Sequence, residues 1–542
     1  MAKGKKKPRT EAPAAGREAA GPPESRPARP LDAPPDTSPA WLLWALRGVL
    51  AATAVALAVW YVRSSLAAEG RLGFPLDDSY IHFQFARNLA HGHGLSFNPG
   101  EPSPGVTSPL WVLLLAAAQL LGAPVEWASV ALGVLAAAAA AVFTLEAGRA
   151  ARLPLGLAFA AGLAVAGAGR ITWASVSGME PCLATALSVA LVWLYLSQVS
   201  GTRRYLGLGL LAGLCAEARP ELLLLGLLVA ALEAWRAGRE RGLSGAVRAA
   251  LAMGVPLVAL ILPYTLFCLA TSGRPLPNTY YVKSYLLVRT GGANLAQLRR
   301  AYVGAAIRFI AWDNLVAAVL LVPGMVLWVI RRGWARRVAV LLWPLVFWGY
   351  SVVRSPLHYN VSRYTIPLIP ILALMSTAPL AALAERLRSA VSRRAVELAG
   401  VLLLALGAAR AQPDGNLLYR MNVDNILKMQ VAMGEWVATH LPPGARVMLN
   451  DVGAITYFGG CYCIDAMGLI STDLVDYLLE NQASLNTALP YRGPSSHRDY
   501  VIIFPSWAPA VTRDPNLQKI YEIDYPNNTG GGNELVVYKV LK

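Results

Sequence analysis

The sequence is short of charge. Only 15% of its 542 residues are Asp, Glu, Lys or Arg, while 55% are hydrophobic, and the mean hydropathy is +0.44. A soluble chain of this length needs far more polar surface, so an all-soluble protein is excluded and most of the chain belongs in lipid. Acid is scarcer than base, with 32 acidic against 48 basic residues and a net charge of +16. The basic excess punctuates the gaps between apolar runs instead of gathering in one patch. That distribution follows the positive-inside rule and argues against a nucleic-acid partner. Five cysteines carry little information. Cys182, Cys215 and Cys268 fall in apolar runs as packing residues, and Cys461 and Cys463 stand two apart in an expected strand, a poor geometry for pairing. The glycines of "DVGAITYFGG" lack the spacing of a phosphate loop.

What is present divides into three zones. Residues 1–40, rich in Pro, Ala, Lys and Arg, read as a disordered basic cytoplasmic tail. Residues 41–411 read as a polytopic α-helical membrane domain, and residues 412–542 as a mixed α/β extracytoplasmic domain. The first apolar run, near Trp41, is too deep and too long for a cleaved signal peptide and reads as a retained anchor. Further runs at 127–147, 154–170, 181–199, 205–217, 220–235, 249–271, 313–330, 338–353, 364–383 and 396–410 bring the expectation to about 11 transmembrane helices. The shorter "PLWVLLLAAAQLLG" (109–122) reads as a juxtamembrane or re-entrant helix. With that count, "GRAAR", "GTRR", "WRAGRERG", "RRGWARR" and "ERLRSAVSRR" all face the cytoplasm. The loop 272–312 is the exception, outside yet holding six basic residues.

This topology collects the polar motifs on the outer side. In the first outer loop (71–108), Asp77 and Asp78 open a helical pattern with an apolar stripe of Ile81, Phe85 and Leu89 and a polar one of Gln84, Arg87, Asn88 and His91. The plain reading caps the helix with one aspartate and leaves the other to solvent. The chemical reading makes one a general base or a cation ligand. Glu180, in "SGMEP", stands at the mouth of a span, where an acid suits a helix start but could also position a hydroxyl or share a metal with Asp77. In "CAEARPELLLL", Glu217, Arg219 and Glu221 either pair with one another or offer Arg219 to a phosphate. "GRPLPNTYYVKSY" adds Tyr280, Tyr281 and Lys283; "RSPLHYNVSRYTIPLIP" adds His358, Tyr359, Arg363 and Tyr364. Interfacial aromatics often form a plain headgroup belt, but interleaved with Lys and Arg they also suit a sugar-bearing lipid phosphate.

These motifs carry a resemblance. "DDSYIHFQFARNLAHGHGLSFNPGE" followed by "TSPLW" resembles the first outer loop of GT-C fold membrane glycosyltransferases, in the arabinofuranosyltransferase-like branch that uses polyprenyl-phosphate sugars. "SGMEP", "RPE", "GRPLPNTYY" and "SRYTIPLIP" resemble later landmarks of that family in order, and residues 441–471 resemble the start of its C-terminal domain. "PSPGVTSPLW" departs from the family's more usual acidic-Gly-aromatic-Thr wording and leaves sugar and acceptor open.

The resemblance implies an enzyme of a bacterial-type inner membrane, a hexosyl- or pentosyltransferase. It implies inverting transfer from a polyprenyl-phosphate sugar to a glycan or lipid acceptor, with a first-loop acid as base. That base falls on Asp77, with Asp78 expected as the helix cap and Glu180 as a second acid. Arg219, Lys283 and Arg363 are the donor-phosphate candidates; His82, Arg87, Tyr280, His358 and Tyr364 the acceptor-side ones. No cofactor is fixed, and a divalent cation at Asp77 and Glu180 is admitted. Two rival readings are a transporter or flippase of a lipid-linked sugar and an assembly partner without activity. A transporter should carry mid-membrane charge or inverted repeats, whereas the charges here gather at span ends.

Overall fold

The computed structural model describes residues 1, 38–197, 199, 201–282, 311–330, 340–347, 349–350, 359–480, 497–509, 511–526 and 528–541. Helix α1 (Ala40–Glu69) has 30 residues, or ~45 Å at the helical rise, which exceeds the ~30 Å of hydrocarbon it has to cross. It stops at Gly70, whose φ of 71° lets its N–H reach back to the Leu66 carbonyl. The amphipathic helix α2 (Asp77–Ala90) and the short apolar α3 (Pro109–Leu120) then pack on each other.

Helices α4 (Val125–Ala150), α5 (Leu155–Ala166), α6 (Gly169–Ser175), α7 (Pro181–Leu196) and α8 (Thr202–Ala218) build the middle of the bundle. Small residues set its tight spacing: on α4, a side chain at Gly133 would strike the Ser175 carbonyl and one at Gly148 would strike Ala158. The α9 helix (Leu223–Ser272) is broken at Gly242, whose backbone leaves the helical region with φ 69° and ψ −168°. Helices α10 (Leu315–Ile330), α11 (Ile369–Ser376), α12 (Ala378–Arg386) and α13 (Ala390–Ile426) follow. Buried charges inside the bundle are paired, as lipid demands. Arg204 makes a two-pronged bond to Glu233 at 2.6 and 2.8 Å, and Arg170 pairs with Asp313.

Among the described residues five helices are long and apolar enough to cross a membrane, or six if the pair α5 and α6, bent by 54°, is one span. The expectation of about 11 counted shorter runs separately. The runs at 220–235 and 249–271 lie on either side of the Gly242 break, where two helices meet at a kink, and the run at 338–353 falls partly outside the described residues.

Helix α13 does not end at the expected domain edge of residue 412. It continues through a π-helical turn (Leu427–Val431) into α14 (Ala432–His440), so one rod leads from the membrane helices into the C-terminal domain. There the strands β1 (Arg446–Leu449), β2 (Tyr462–Asp465), β3 (Tyr500–Ile503), β4 (Leu517–Asp524) and β5 (Glu534–Val540) form one sheet in the order β2-β1-β3-β5-β4. The β2-β1-β3 part is parallel, with Val447 opposite both Cys463 and Tyr500, and β5 and β4 add antiparallel strands. The parallel strands are nearly continuous buried apolar runs, and the edge strand β4 alternates or exposes its residues, as covered and uncovered strands should. Between β1 and β2 the short helix α15 (Gly453–Gly459) packs against α2, and α16 (Thr472–Glu480) follows β2.

Candidate active site

A cavity of about 140 Å³ opens where turns between the apolar helices meet the C-terminal domain. Asp78 and His82 reach it from α2, Glu180 from the turn before α7, and Arg219 and Glu221 from the turn after α8. Tyr280 lines it from the segment after α9, and Arg363 and Tyr364 from the 3₁₀ stretch Tyr359–Leu368. The polar motifs that the sequence spread over nearly 300 residues thus meet at one place.

Local backbone explains the convergence. Gly178 turns with φ 77°, and a side chain there would strike Phe74, so the turn closes tightly and hands Glu180 to the N-terminus of α7. The Trp111 indole locks the same turn by donating to the Gly178 carbonyl at 3.0 Å. Arg219 is extended (φ −157°, ψ 125°) between the end of α8 and the 3₁₀ turn Pro220–Leu222, where Pro220 prevents the helix from continuing.

The cavity is ionic. Arg219 donates to Glu180 Oε1 at 2.6 Å and to Glu221 Oε1 at 2.5 Å, with its guanidinium 4.6 Å from the centre of the Tyr364 ring. Arg363 holds Asp78 at 2.5 Å. Burial alone would raise the Glu180 carboxyl, but the neighbouring guanidinium groups, Arg219 before Arg363, more than reverse this and hold it below the ordinary carboxylate range. Burial pushes the His82 imidazole down despite the neighbouring Glu180, with Nε2 3.9 Å from Glu180 Oε2. His82 Nδ1, Glu180 Oε2 and Arg363 Nε are buried and have no hydrogen-bond partner among the described residues. Three such atoms around one cavity leave polar capacity for a ligand to fill.

The two neighbouring aspartates meet different partners, and the one that caps a helix is Asp77, not Asp78. The Asp77 carboxylate accepts the backbone N–H of Gly453 at 2.7 Å and of Ala454 at 2.7 Å, so it caps α15 of the C-terminal domain. A side chain on Gly453 would collide with the Asp77 backbone, which keeps this approach close. Asp78 is the aspartate that lines the cavity, with its side chain 36% exposed. Asp77 and Glu180 are therefore not brought together as a cation pair. Among the described residues no group of three or more His, Cys, Asp or Glu could hold a metal ion.

Arg87 also stands apart from the cavity lining. Its guanidinium donates to the Tyr457 carbonyl at 3.1 Å and lies 4.5 Å from the centre of that residue's ring, so it fastens α2 to α15. Lys283 and His358 lie outside the described residues. Sequence reasoning missed Leu469 and Ile470, which bring the C-terminal domain into the cavity wall, and Asp451, which lies beside Asp77 and accepts from Gln430 at 3.0 Å. All three lie in the stretch 441–471 whose resemblance the sequence showed, but nothing in it singled them out; the fold makes them local.

Comparison with known proteins bears on the fold. A family model described as a domain of unknown function, DUF8728, matches residues 422–538. No curated protein matches the chain by sequence. Among solved structures, ArnT from Cupriavidus metallidurans bound to undecaprenyl phosphate is similar at 14% identity and a TM-score of 0.56, covering 90% of this chain and 97% of that one. The oligosaccharyltransferase of Archaeoglobus fulgidus in its apo form is similar at 11% identity and a TM-score of 0.57, covering 91% and 74%. The A. fulgidus AglB in complex with an inhibitory peptide and a dolichol-phosphate gives 12% identity and a TM-score of 0.55, again over 91% and 74%. The chain has the GT-C fold.

Proposed function

We propose that the chain is a membrane glycosyltransferase that moves a sugar from a polyprenyl-phosphate donor to a hydroxyl of a glycan or lipid acceptor on the extracytoplasmic side, with inversion. The observation that carries this is the cavity itself, in which one accessible carboxylate, Asp78, shares walls with two buried arginines, Arg219 and Arg363. Structures of similar fold that carry undecaprenyl phosphate or dolichol-phosphate support a donor of that class.

The chemistry asks for little beyond these groups. A phosphate-linked sugar already has a good leaving group. The acceptor O–H gives its proton to the Asp78 carboxylate while its oxygen bonds to the anomeric carbon. The bond from that carbon to the phosphate oxygen breaks, and its electron pair leaves with polyprenyl phosphate. Arg219 and Arg363 meet the charge that develops on the departing phosphate. His82 Nδ1 and Glu180 Oε2, both without a hydrogen-bond partner among the described residues, are suited to hold sugar hydroxyls, one able to donate and the other to accept. Tyr280 and Tyr364 supply aromatic faces for the ring carbons.

Without donor, Arg363 is occupied by Asp78. An arriving phosphate competes for that guanidinium and loosens its hold on the carboxylate, so donor binding makes Asp78 a better base. Asp77 does not suit the base role, because both its oxygens already serve the amides of α15. The test is to incubate the purified protein in lipid nanodiscs with polyprenyl-phosphate sugars and an acceptor panel. Released polyprenyl phosphate with a glycosylated acceptor supports the assignment; a protein that binds undecaprenyl phosphate and turns over none of the donors refutes it.

A further inference from the structure

The segment Asp465–Ser471 is held from two sides. From within, the fully buried Asp465 carboxylate accepts the N–H groups of Met467 at 2.8 Å and Ile470 at 2.9 Å, while its own N–H donates to Ser471 Oγ at 3.0 Å. From outside, Ser103 Oγ donates to the Ile470 carbonyl at 2.8 Å, and Asn278 donates to Thr472 Oγ1 at 3.1 Å. A Cβ on Gly105 would sit 2.9 Å from the Leu469 carbonyl oxygen, so the first outer loop comes against this backbone as closely as glycine allows. A turn whose amides are largely engaged around a buried carboxylate does not wander.

This rigid turn projects Leu469 and Ile470 into the cavity, and among the described residues they are the domain's whole contribution to its lining. Their side chains offer no hydrogen bond, so they cannot hold a phosphate. The cationic lining comes from Arg219 and Arg363, at turns of the membrane helices, where a lipid-borne donor arrives. The substrate left to meet an apolar wall from the C-terminal domain is the acceptor.

We propose that the 465–471 turn is the acceptor-selecting wall of the enzyme, with Leu469 and Ile470 reading the C–H face of a glycoside acceptor and Asp465 as the positioning residue that fixes them. This gives the matched domain of unknown function a task, and it rests on the glycosyltransferase reading above.

The experiment uses the full chain in nanodiscs, with octyl glycosides as acceptor probes and undecaprenyl phosphate as the donor-site probe. For the glycoside used best by wild type, Ile470→Ala and Leu469→Ala should each raise the acceptor KM by about 10-fold, the scale of a lost apolar contact in a specificity pocket. Affinity for undecaprenyl phosphate should stay within about twofold, since that ligand is held by the arginines. Ile470→Val, which cannot unfold the turn, should move acceptor KM in the same direction by a smaller factor. Asp465→Asn should reproduce the acceptor effect while leaving donor KM in place, a split that mere loss of fold would not give. An unchanged acceptor KM in the Ile470 and Leu469 variants overturns the proposal, as does an equal loss of undecaprenyl phosphate binding. A wild-type protein that transfers no sugar from any polyprenyl-phosphate donor is a different failure, which removes the glycosyltransferase reading and this one with it.

Discussion

Replacing Asp78 by Asn removes the proposed proton acceptor while keeping side-chain shape. Loss of a general base costs ~10²–10⁴-fold in turnover. The structure adds a second, opposite expectation. Because Arg363 is bound to Asp78 at 2.5 Å, the Asn variant relieves a competitor for that guanidinium, so undecaprenyl phosphate should bind as well as in wild type or better. Asp77→Asn makes the matching control. An asparagine can accept one of the two N–H groups of Gly453 and Ala454 but turns its amide NH2, itself a donor, to the other, so a charge-assisted bond worth roughly 1.5–3 kcal/mol is lost. That loss should appear as weaker seating of the C-terminal domain, with a lower Tm and a moderate fall in kcat. The assay is sugar transfer, undecaprenyl phosphate binding and thermal unfolding on both variants. The reasoning is refuted if Asp77→Asn is inactive at an unchanged Tm while Asp78→Asn turns over normally; the base would then be Asp77, as its family resemblance suggests. If both variants stay active, the loop has no catalytic acid.

Further outcomes are expected elsewhere. Arg363→Ala should weaken undecaprenyl phosphate binding ~10–150-fold through loss of a charge-assisted contact, and Arg363→Lys should recover only part of it because a point charge cannot grip two oxygens; binding equal to wild type in both would move the phosphate site. On topology, cysteines placed at exposed His93 and Gln518 of intact cells should react with an impermeant reagent, and one at exposed Ser244 should not; labelling of Ser244→Cys would invert the map. For pH, desolvation raises Asp451 to about 6 and also raises Asp77, further lifted by the nearby Asp451. Folded protein then binds more protons than unfolded protein between the ordinary carboxylate pKa and about 6, so this pair's contribution to stability falls as pH rises through that window. Asp451→Asn should flatten the drop in Tm between about pH 4 and 6, and a slope identical to wild type would show that the pair does not titrate as placed.

Much of the site was legible because its residues are costly where they stand. Arg219 interrupts apolar sequence at a span end, and Glu180 opens a helix beneath a glycine turn; both exceptions to local expectation lie in the cavity. The strands of the C-terminal domain were legible for the usual reason, since "RVML" and "YVII" are apolar runs of strand length. The count of spans was less so. Hydropathy registers apolar length but not where an element bends, so it showed neither the backbone break at Gly242 nor the 54° bend between α5 and α6.

The assignment of Asp77 and Asp78 could not be read from the sequence at all, and the reason is geometric. Successive residues on a helix point about 100° apart, so one of two adjacent acids faces one neighbour and the other a different one. Which of them meets amides and which a guanidinium depends on what each neighbour is. Here the neighbour of Asp77 is the amide-rich start of α15, some 376 positions away in sequence, and that of Asp78 is Arg363. Local propensity would satisfy either aspartate with the amides of its own helix, yet α2 has no side-chain cap of its own. Tertiary contact outbids the local option because two amides from a foreign helix end bind a carboxylate as well as its own would, and they also seat a domain. The same contact that engages both Asp77 oxygens ties α2 to α15, and Asp78, the next residue of that helix, enters the cavity.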